Sequence, residues 1–283
     1  MREALRLAEN ARGRTSPNPL VGAVIVRENR IVAVGWHRQA GTEHAEIHAL
    51  NMAKKLAVGA TLYVTLEPCA HYGRTGPCVK AVIGAGIRRV VVAMEDPNPV
   101  VSGRGIAMLQ DAGIDVRCGV LEEEARRQNE IFIKWVTTGM PFVWMKMAMS
   151  LDGRIATVDG ESRWITGEAA RRQGHAMRDE MDGILVGVGT VLADDPQLTT
   201  RWPVEGHNPR RIVLDSRART PLTAKLLHDQ AAPTFIAVTE AAPEVRVKAL
   251  RQTGAEILYC GKGPHVDLPC LLAQLGKREI CSL

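Results

Sequence analysis

Three residues of metal-ligating type stand where one fold must bring them together. His44 opens a helical pattern, Cys69 follows a Pro at the end of a strand pattern, and Cys78 opens the next helix. If they share one ion, two helix starts and one strand end converge on a point, which commits residues 44–78 to a layered α/β arrangement. One imidazole and two thiolates make a three-ligand zinc site whose fourth tetrahedral position is open to water, the catalytic form of such a site. Two thiolates offset the charge of Zn²⁺, and a helix start at Cys78 favours a deprotonated sulfur. Water on such a metal has a pKa of about 7, so hydroxide is available at neutral pH.

Glu46 lies two residues from His44, a spacing that separates side chains on a regular helix. Both reach one site only if His44 stands at the very start of the helix. Glu46 is then a non-ligand carboxylate that takes a proton from the water and passes it to the substrate. The pattern His44-Ala45-Glu46 with Pro68-Cys69 and Cys78 is the zinc deaminase signature, in which the nucleophile attacks an amidine-like ring carbon. Taken singly, the two cysteines are equally consistent with burial. His48, one helical turn past His44, reads as a packing or supporting residue rather than a ligand. The signature has two residues between its cysteines, whereas eight stand here, Ala70 to Pro77. Tethered to the metal at both ends, that loop lies over the site; its His71, Arg74 and Thr75 suit an anionic, hydroxyl-rich substrate, and Gly73 and Gly76 let it turn. A solvated loop with no ligand role is the plainer reading.

At about 100–200 residues per domain, 283 residues favour two domains. The first half alternates strand and helix signals. Helices are expected at 1–12, 44–56, 77–83, 105–111 and 121–136, and strands at 21–26 and 31–35 around a Glu28-Asn29 turn, then at 61–65, 89–94 and 114–117. Thr137-Thr138-Gly139-Met140-Pro141 is a helix stop and linker, which sets domains at 1–140 and 141–283. Beyond it, strands are expected at 143–149, 183–188, 211–214, 234–238 and 256–259, and helices at 168–180, 244–251 and 268–275. Residues 279–283 are apolar-leaning, an unfinished strand signal.

Composition narrows the partners. The net charge of +5 divides into +4 for residues 1–140 (18 basic, 14 acidic) and +1 for 141–283 (18 basic, 17 acidic), with no long basic run. Three Phe, three Tyr and five Trp are few for a base-stacking platform, so a small anionic ligand is expected and no nucleic acid. No apolar stretch spans a membrane and no secretory signal opens the chain, so a cytoplasmic protein is expected. Six cysteines are too sparse for a disulfide scaffold.

Together with Thr15-Ser16-Pro17-Asn18-Pro19-Leu20-Val21-Gly22, the segments His44-Ala45-Glu46, Leu66-Glu67-Pro68-Cys69 through Pro77-Cys78, and Glu95-Asp96-Pro97-Asn98-Pro99 resemble the bifunctional RibD family of riboflavin biosynthesis. The likeness runs over nearly the whole chain, and the long inter-cysteine loop separates it from tRNA adenosine and cytidine deaminases. Gly76 stands where family members commonly have Pro. The resemblance implies a zinc-dependent, cytidine-deaminase-like α/β/α domain followed by a dihydrofolate-reductase-like α/β domain. It implies hydrolytic deamination of 2,5-diamino-6-(5-phosphoribosylamino)pyrimidin-4(3H)-one, with Glu46 catalytic and His44, Cys69 and Cys78 on zinc, then NADPH-dependent reduction of ribosyl to ribityl. Asn18, His71 and Arg74 are assigned to recognition of the first substrate.

In the second half, Gly187-Val188-Gly189-Thr190 is only a fragment of a dinucleotide-binding G-x-G-x-x-G, and alone reads as a strand-to-helix turn. The resemblance implies NADP contacts at Ala148, Trp164, Thr190 and Asp194, and substrate contacts at Ser162, Arg178, Leu198 and Arg201. Guanidinium groups at 178 and 201 also suit a phosphorylated sugar. Family members continue past the position of Leu283 with a glycine-rich Glu-Gly-Gly segment that nothing here matches. The expectation is therefore an incomplete second domain with little reductase activity, whose exposed sheet edges invite a homo-oligomer. Two alternatives stand beside this reading. One is a zinc deaminase of another nucleobase or of RNA, with a degenerate second domain and a basic, aromatic groove. The other is a non-catalytic protein with structural zinc, for which His71 is the nearby fourth ligand.

Overall fold

In a computed structural model, which describes residues 1–71, 76–99, 101–202 and 206–283, the chain forms two compact units, Met1–Gly139 and Met140–Leu283. The first unit contains α1 (Arg2–Ala8), β1 (Gly22–Arg27), β2 (Arg30–Trp36), α2 (Ala45–Ala53), β3 (Thr61–Leu66) and α3 (Cys78–Gly84), then β4 (Arg89–Met94), α4 (Arg104–Asp111), β5 (Asp115–Arg117), α5 (Glu122–Gln128) and α6 (Glu130–Thr138). Its sheet has the order β2-β1-β3-β4-β5, with β1 antiparallel to both neighbours and β3, β4 and β5 parallel. Glu28 and Asn29 both take positive φ, 50° and 59°, so the expected turn is of the hairpin type that matches strand twist.

Alternation along β1 sorts the two faces. Val24, with Val34 and Tyr63, packs against Ala4 and Leu7 of α1, whereas Ala23 and Ile25 pack with Ala45, Ala49 and Ala53 of α2. The result is an α/β/α sandwich. Small residues bring α2 close to the sheet. A Cβ on Gly35 of β2 would lie 2.3 Å from the Ala45 carbonyl oxygen, so only glycine permits that approach.

The single helix expected over 121–136 is two helices, α5 and α6, with Asn129 between them at φ −107°. The cause is a tertiary demand on the Asn129 side chain. Its Oδ1 accepts from Leu20 N at 2.8 Å and its Nδ2 donates to Leu20 O at 3.0 Å, which closes a buried pair that a straight helix would not reach.

The second unit contains α7 (Glu168–Glu180), β6 (Gly183–Gly187), α8 (Val188–Asp194), β7 (Arg210–Leu214), α9 (Lys225–His228), β8 (Thr234–Val238), α10 (Glu244–Gln252), β9 (Glu256–Tyr259) and α11 (Leu268–Gly276). The four strands are parallel in the order β6-β7-β8-β9. Val213, Ile236 and Val238 face α8 and α10, and Ile212, Phe235 and Ala237 face α11, so both faces are covered, as a parallel sheet requires. Where a strand was expected to run to residue 188, β6 stops at Gly187 and Val188 begins a helix.

No strand forms over residues 143–149. Pairing is confined to Phe142 and Trp144, which exchange backbone hydrogen bonds with Cys281 and Leu283, while Ser282 O accepts from Gly183 N at the head of β6. Met145, Met147 and Met149 are exposed. An apolar run supplies strand propensity, but without a ladder partner its amides have nothing to pair with. Among the described residues, no helix is long and apolar enough to cross a membrane.

Candidate active sites

In the first unit the candidate site lies outside the carboxyl ends of the parallel strands, where α/β sheets place their ligands. His44 is the residue immediately before α2, with extended backbone (φ −75°, ψ 163°), and Glu46 sits in the first turn. That geometry meets the condition set by their two-residue spacing. His44 Nδ1 lies 3.2 Å from Cys78 Sγ and 3.5 Å from Cys69 Sγ, and the three ligand atoms all fall within 4.8 Å of one another. A tetrahedral zinc with the usual bond lengths needs sulfur–nitrogen separations of about 3.6 Å, so the observed spacing fits the ion. The first amide of α3, Cys78 N–H, donates to Cys69 Sγ at 3.3 Å.

Electrostatics at the cluster favour a thiolate. A hydrogen bond from the Cys78 thiol, with help from His44, pulls Cys69 down to about 4, and the same bond together with burial pushes Cys78 up. His44 is raised by its bond to Cys69. Glu46 is 3% exposed, and burial lifts its carboxyl to about 7, where it can both take and give a proton at neutral pH.

Asn18 is held beside this cluster by His37, a residue the sequence reading passed over. His37 Nδ1 pairs with the Glu43 carbonyl at 3.1 Å and so carries the proton, which leaves Nε2 to accept from Asn18 Nδ2 at 3.1 Å. Burial pushes the His37 pKa down, consistent with a neutral ring, and its edge faces His44 with centroids 5.4 Å apart. The sequence offers only a His after a strand as a signal. His48 stands away from the ligand atoms, 3.7 Å from a Glu43 carboxylate oxygen. His71 is exposed at the mouth of the inter-cysteine loop, close enough to Asp96 to act on it electrostatically. Arg74, with Tyr72, Gly73 and Thr75, lies outside the described residues.

In the second unit a cavity of about 830 Å³ brings together all eight residues assigned to cofactor and substrate: Ala148, Trp164, Thr190, Asp194, Ser162, Arg178, Leu198 and Arg201. Lys146, Arg163, Arg171 and Lys225 also line it, with Asp195. Of these four cations, Lys146 and Arg163 lie in segments that carry the family resemblance, while Arg171 and Lys225 lie in none. Arg178 is half-buried and donates to Thr199 O at 2.6 Å, and burial with the nearby Arg201 charge lowers its pKa. His175 accepts from Arg201 N at 3.1 Å. Arg171 stacks over the Trp164 ring at 4.3 Å. A cavity this cationic suits phosphate groups.

Comparison with known proteins places these sites in a family. Residues 141–283 match the RibD C-terminal domain, and residues 1–94 match the cytidine and deoxycytidylate deaminase zinc-binding region. The riboflavin biosynthesis protein RibD of Bacillus amyloliquefaciens is 47% identical over 284 residues, which cover 100% of this chain and 76% of that protein. The chain belongs to the RibD family. RibD of Escherichia coli is 44% identical, with 100% of this chain and 79% of that protein covered. Among solved structures, Acinetobacter baumannii RibD superposes with a TM-score of 0.89 at 41% identity, over 99% of this chain and 77% of that one. A Thermotoga maritima diaminohydroxyphosphoribosylaminopyrimidine deaminase/5-amino-6-(5-phosphoribosylamino)uracil reductase gives 0.88 at 40% identity, over 100% of this chain and 78% of that one. The fold class implied by the RibD resemblance, a cytidine-deaminase-like domain followed by a reductase domain, is the one these matches support.

Proposed function

We propose that residues 1–140 deaminate 2,5-diamino-6-(5-phosphoribosylamino)pyrimidin-4(3H)-one and that residues 141–283 bind NADPH and reduce the ribosyl group of the deaminated product to ribityl, both in riboflavin biosynthesis. The observation that carries the first reaction is the convergence of His44 Nδ1, Cys69 Sγ and Cys78 Sγ within 4.8 Å, with the buried Glu46 carboxyl beside them. These three atoms would hold zinc, which when bound supplies an acidified water as nucleophile. Glu46 accepts the proton of the attacking water and delivers it to the pyrimidine nitrogen next to C2. Glu46 then takes the proton of the new C2 hydroxyl and delivers it to the departing amine, so that the C2–N bond breaks, ammonia leaves and the C2 carbonyl forms. Asn18, fixed by His37, recognises the substrate together with His71 and Arg74.

The cavity of the second unit supports the reductase half, against the expectation of little activity there. Ala148, Trp164, Thr190 and Asp194 contact the cofactor, which supplies the hydride. Ser162, Leu198, Arg178 and Arg201 hold the sugar phosphate, with the two guanidinium groups neutralising it. A small phosphorylated pyrimidine nucleotide is the partner of both sites.

Replacing Glu46 tests the deaminase assignment. Glu46→Ala lowers ammonia release by at least about 10²-fold, the usual worth of a positioned acid–base group, while the chain keeps its zinc by metal analysis. Turnover near the wild-type rate would remove Glu46 from the mechanism.

A further inference from the structure

The reaction as read above makes no use of Glu67, yet this carboxylate is among the most heavily engaged groups in the first unit. It is 5% exposed and follows β3, two residues before Cys69. Four backbone amides donate to it: Asp96 N at 3.1 Å and Gly103 N at 2.9 Å to Oε2, and Gly105 N at 2.7 Å and Ile106 N at 3.2 Å to Oε1. Its own N–H donates to Met94 O at 3.0 Å, so the backbone is pinned to β4 as well. One side chain thus ties both ends of the connection between β4 and α4 to the turn that carries Cys69.

Close packing reinforces the tie. A Cβ on Gly105 would lie 2.1 Å from Pro68 O and 3.1 Å from Glu67 Oε1, so the first turn of α4 presses directly on the Pro68-Cys69 turn. At the other end of the connection, Asp96 Oδ1 accepts from Asn98 N at 2.8 Å, and the Asp96 carboxyl feels the charges of His71 and Cys69. The connection therefore stands at the edge of the ligand cluster, and Glu67 is a side chain that holds both of its ends there.

We infer that Glu67 is a positioning residue for the deamination: by fixing Asp96 and residues 103–106 beside the metal ligands, it sets how tightly the pyrimidine nucleotide is held. This inference rests on the deaminase reading above. Glutamine is nearly isosteric with Glu67 but turns an NH₂ group toward two N–H donors, so it releases one pair of the four amides without leaving a cavity.

The test compares zinc-loaded wild type, Glu67→Gln and a packing control, Leu109→Ala in α4, for zinc content, KM and kcat of ammonia release. Glu67→Gln is expected to raise KM at least tenfold, with kcat within threefold and zinc unchanged. Leu109→Ala leaves KM unchanged at a comparable loss of Tm. An unchanged KM, a loss of zinc, or a fall in kcat at constant KM in Glu67→Gln would overturn the inference. If wild type itself releases no ammonia, it is the deaminase reading that fails. Should Glu67→Gln not fold, amide exchange in the wild-type holoenzyme decides. The amides of Asp96, Gly103, Gly105 and Ile106 are expected to exchange as slowly as those of β3 and β4, with or without substrate; exchange at the rate of exposed loops, or slowing only when substrate is added, contradicts it.

Discussion

Arg178 shows how a single half-buried charge prepares a site. Its guanidinium donates to Thr199 O at 2.6 Å, its Nε is buried with no hydrogen-bond partner among the described residues, and burial together with the nearby Arg201 charge lowers its pKa. On the proposed assignment, a phosphate bound in the cavity would pair with the guanidinium and relieve the repulsion between the two cations. Hydrogen bonds to charged groups are worth about 1.5–3 kcal/mol. Arg178→Ala is accordingly expected to weaken binding of the deaminated nucleotide roughly 10- to 100-fold by calorimetry; an unchanged Kd would place the phosphate elsewhere. Arg178 and Arg201, assigned from the family resemblance and suited by their guanidinium groups to a phosphate, line one cavity. Glu46, His44, Cys69 and Cys78 were legible because their residue types have few other joint uses. His37 and Glu67 were not, since each acts through contacts made only in three dimensions: His37 with Asn18, and Glu67 with amides 29 to 39 positions away.

Whole elements followed the sequence wherever local pattern and tertiary partner agreed. β8 and β9 occupy the residues their apolar runs indicate, and α7 spans Glu168–Glu180 as its pattern requires. Others did not: α8 and α9 form where no helix was expected, and two further departures have a clear cause. The run at 143–149 has strand propensity but pairs only at its first residues, and α5 and α6 are separate because Asn129 answers to Leu20 rather than to helix periodicity. Neither constraint is written locally. Asn129→Ala leaves both Leu20 backbone groups buried without their partner, and is expected to cost about 1–3 kcal/mol in denaturant unfolding; no loss of stability would mean that the joint is incidental. Gly35 couples packing to chemistry, because α2 carries His44 at its head and Glu46 in its first turn. Gly35→Ala forces the Ala45 carbonyl away from β2, at a cost of about 1–3 kcal/mol, and is expected to weaken zinc retention in a chelator competition as well as lower Tm. A lower Tm with unchanged zinc affinity would uncouple the two.

Across the whole molecule, the two sites divide cleanly between the units. Among the described residues, the candidate metal ligands lie within Met1–Gly139, and the residues lining the 830 Å³ cavity lie within Met140–Leu283. Net charge by halves obscured this, because the half with the smaller excess, +1, holds the more cationic cavity, with Lys146, Arg163, Arg171, Arg178, Arg201 and Lys225 against Asp194 and Asp195. Charge summed over a sequence says nothing of how a fold gathers it. Removing zinc with a chelator is therefore expected to abolish ammonia release while NADPH still quenches Trp164 fluorescence, and joint loss would show that the second site depends on the metal. The measurement closest to the central claim is incubation of the zinc-loaded protein with the diaminopyrimidinone nucleotide, first without and then with NADPH, followed for ammonia and for the ribityl product. Release of one ammonia per substrate without NADPH, absent in Glu46→Ala, with ribityl product appearing only once NADPH is added, is the predicted result. No ammonia release, or ammonia release that requires NADPH, would contradict it.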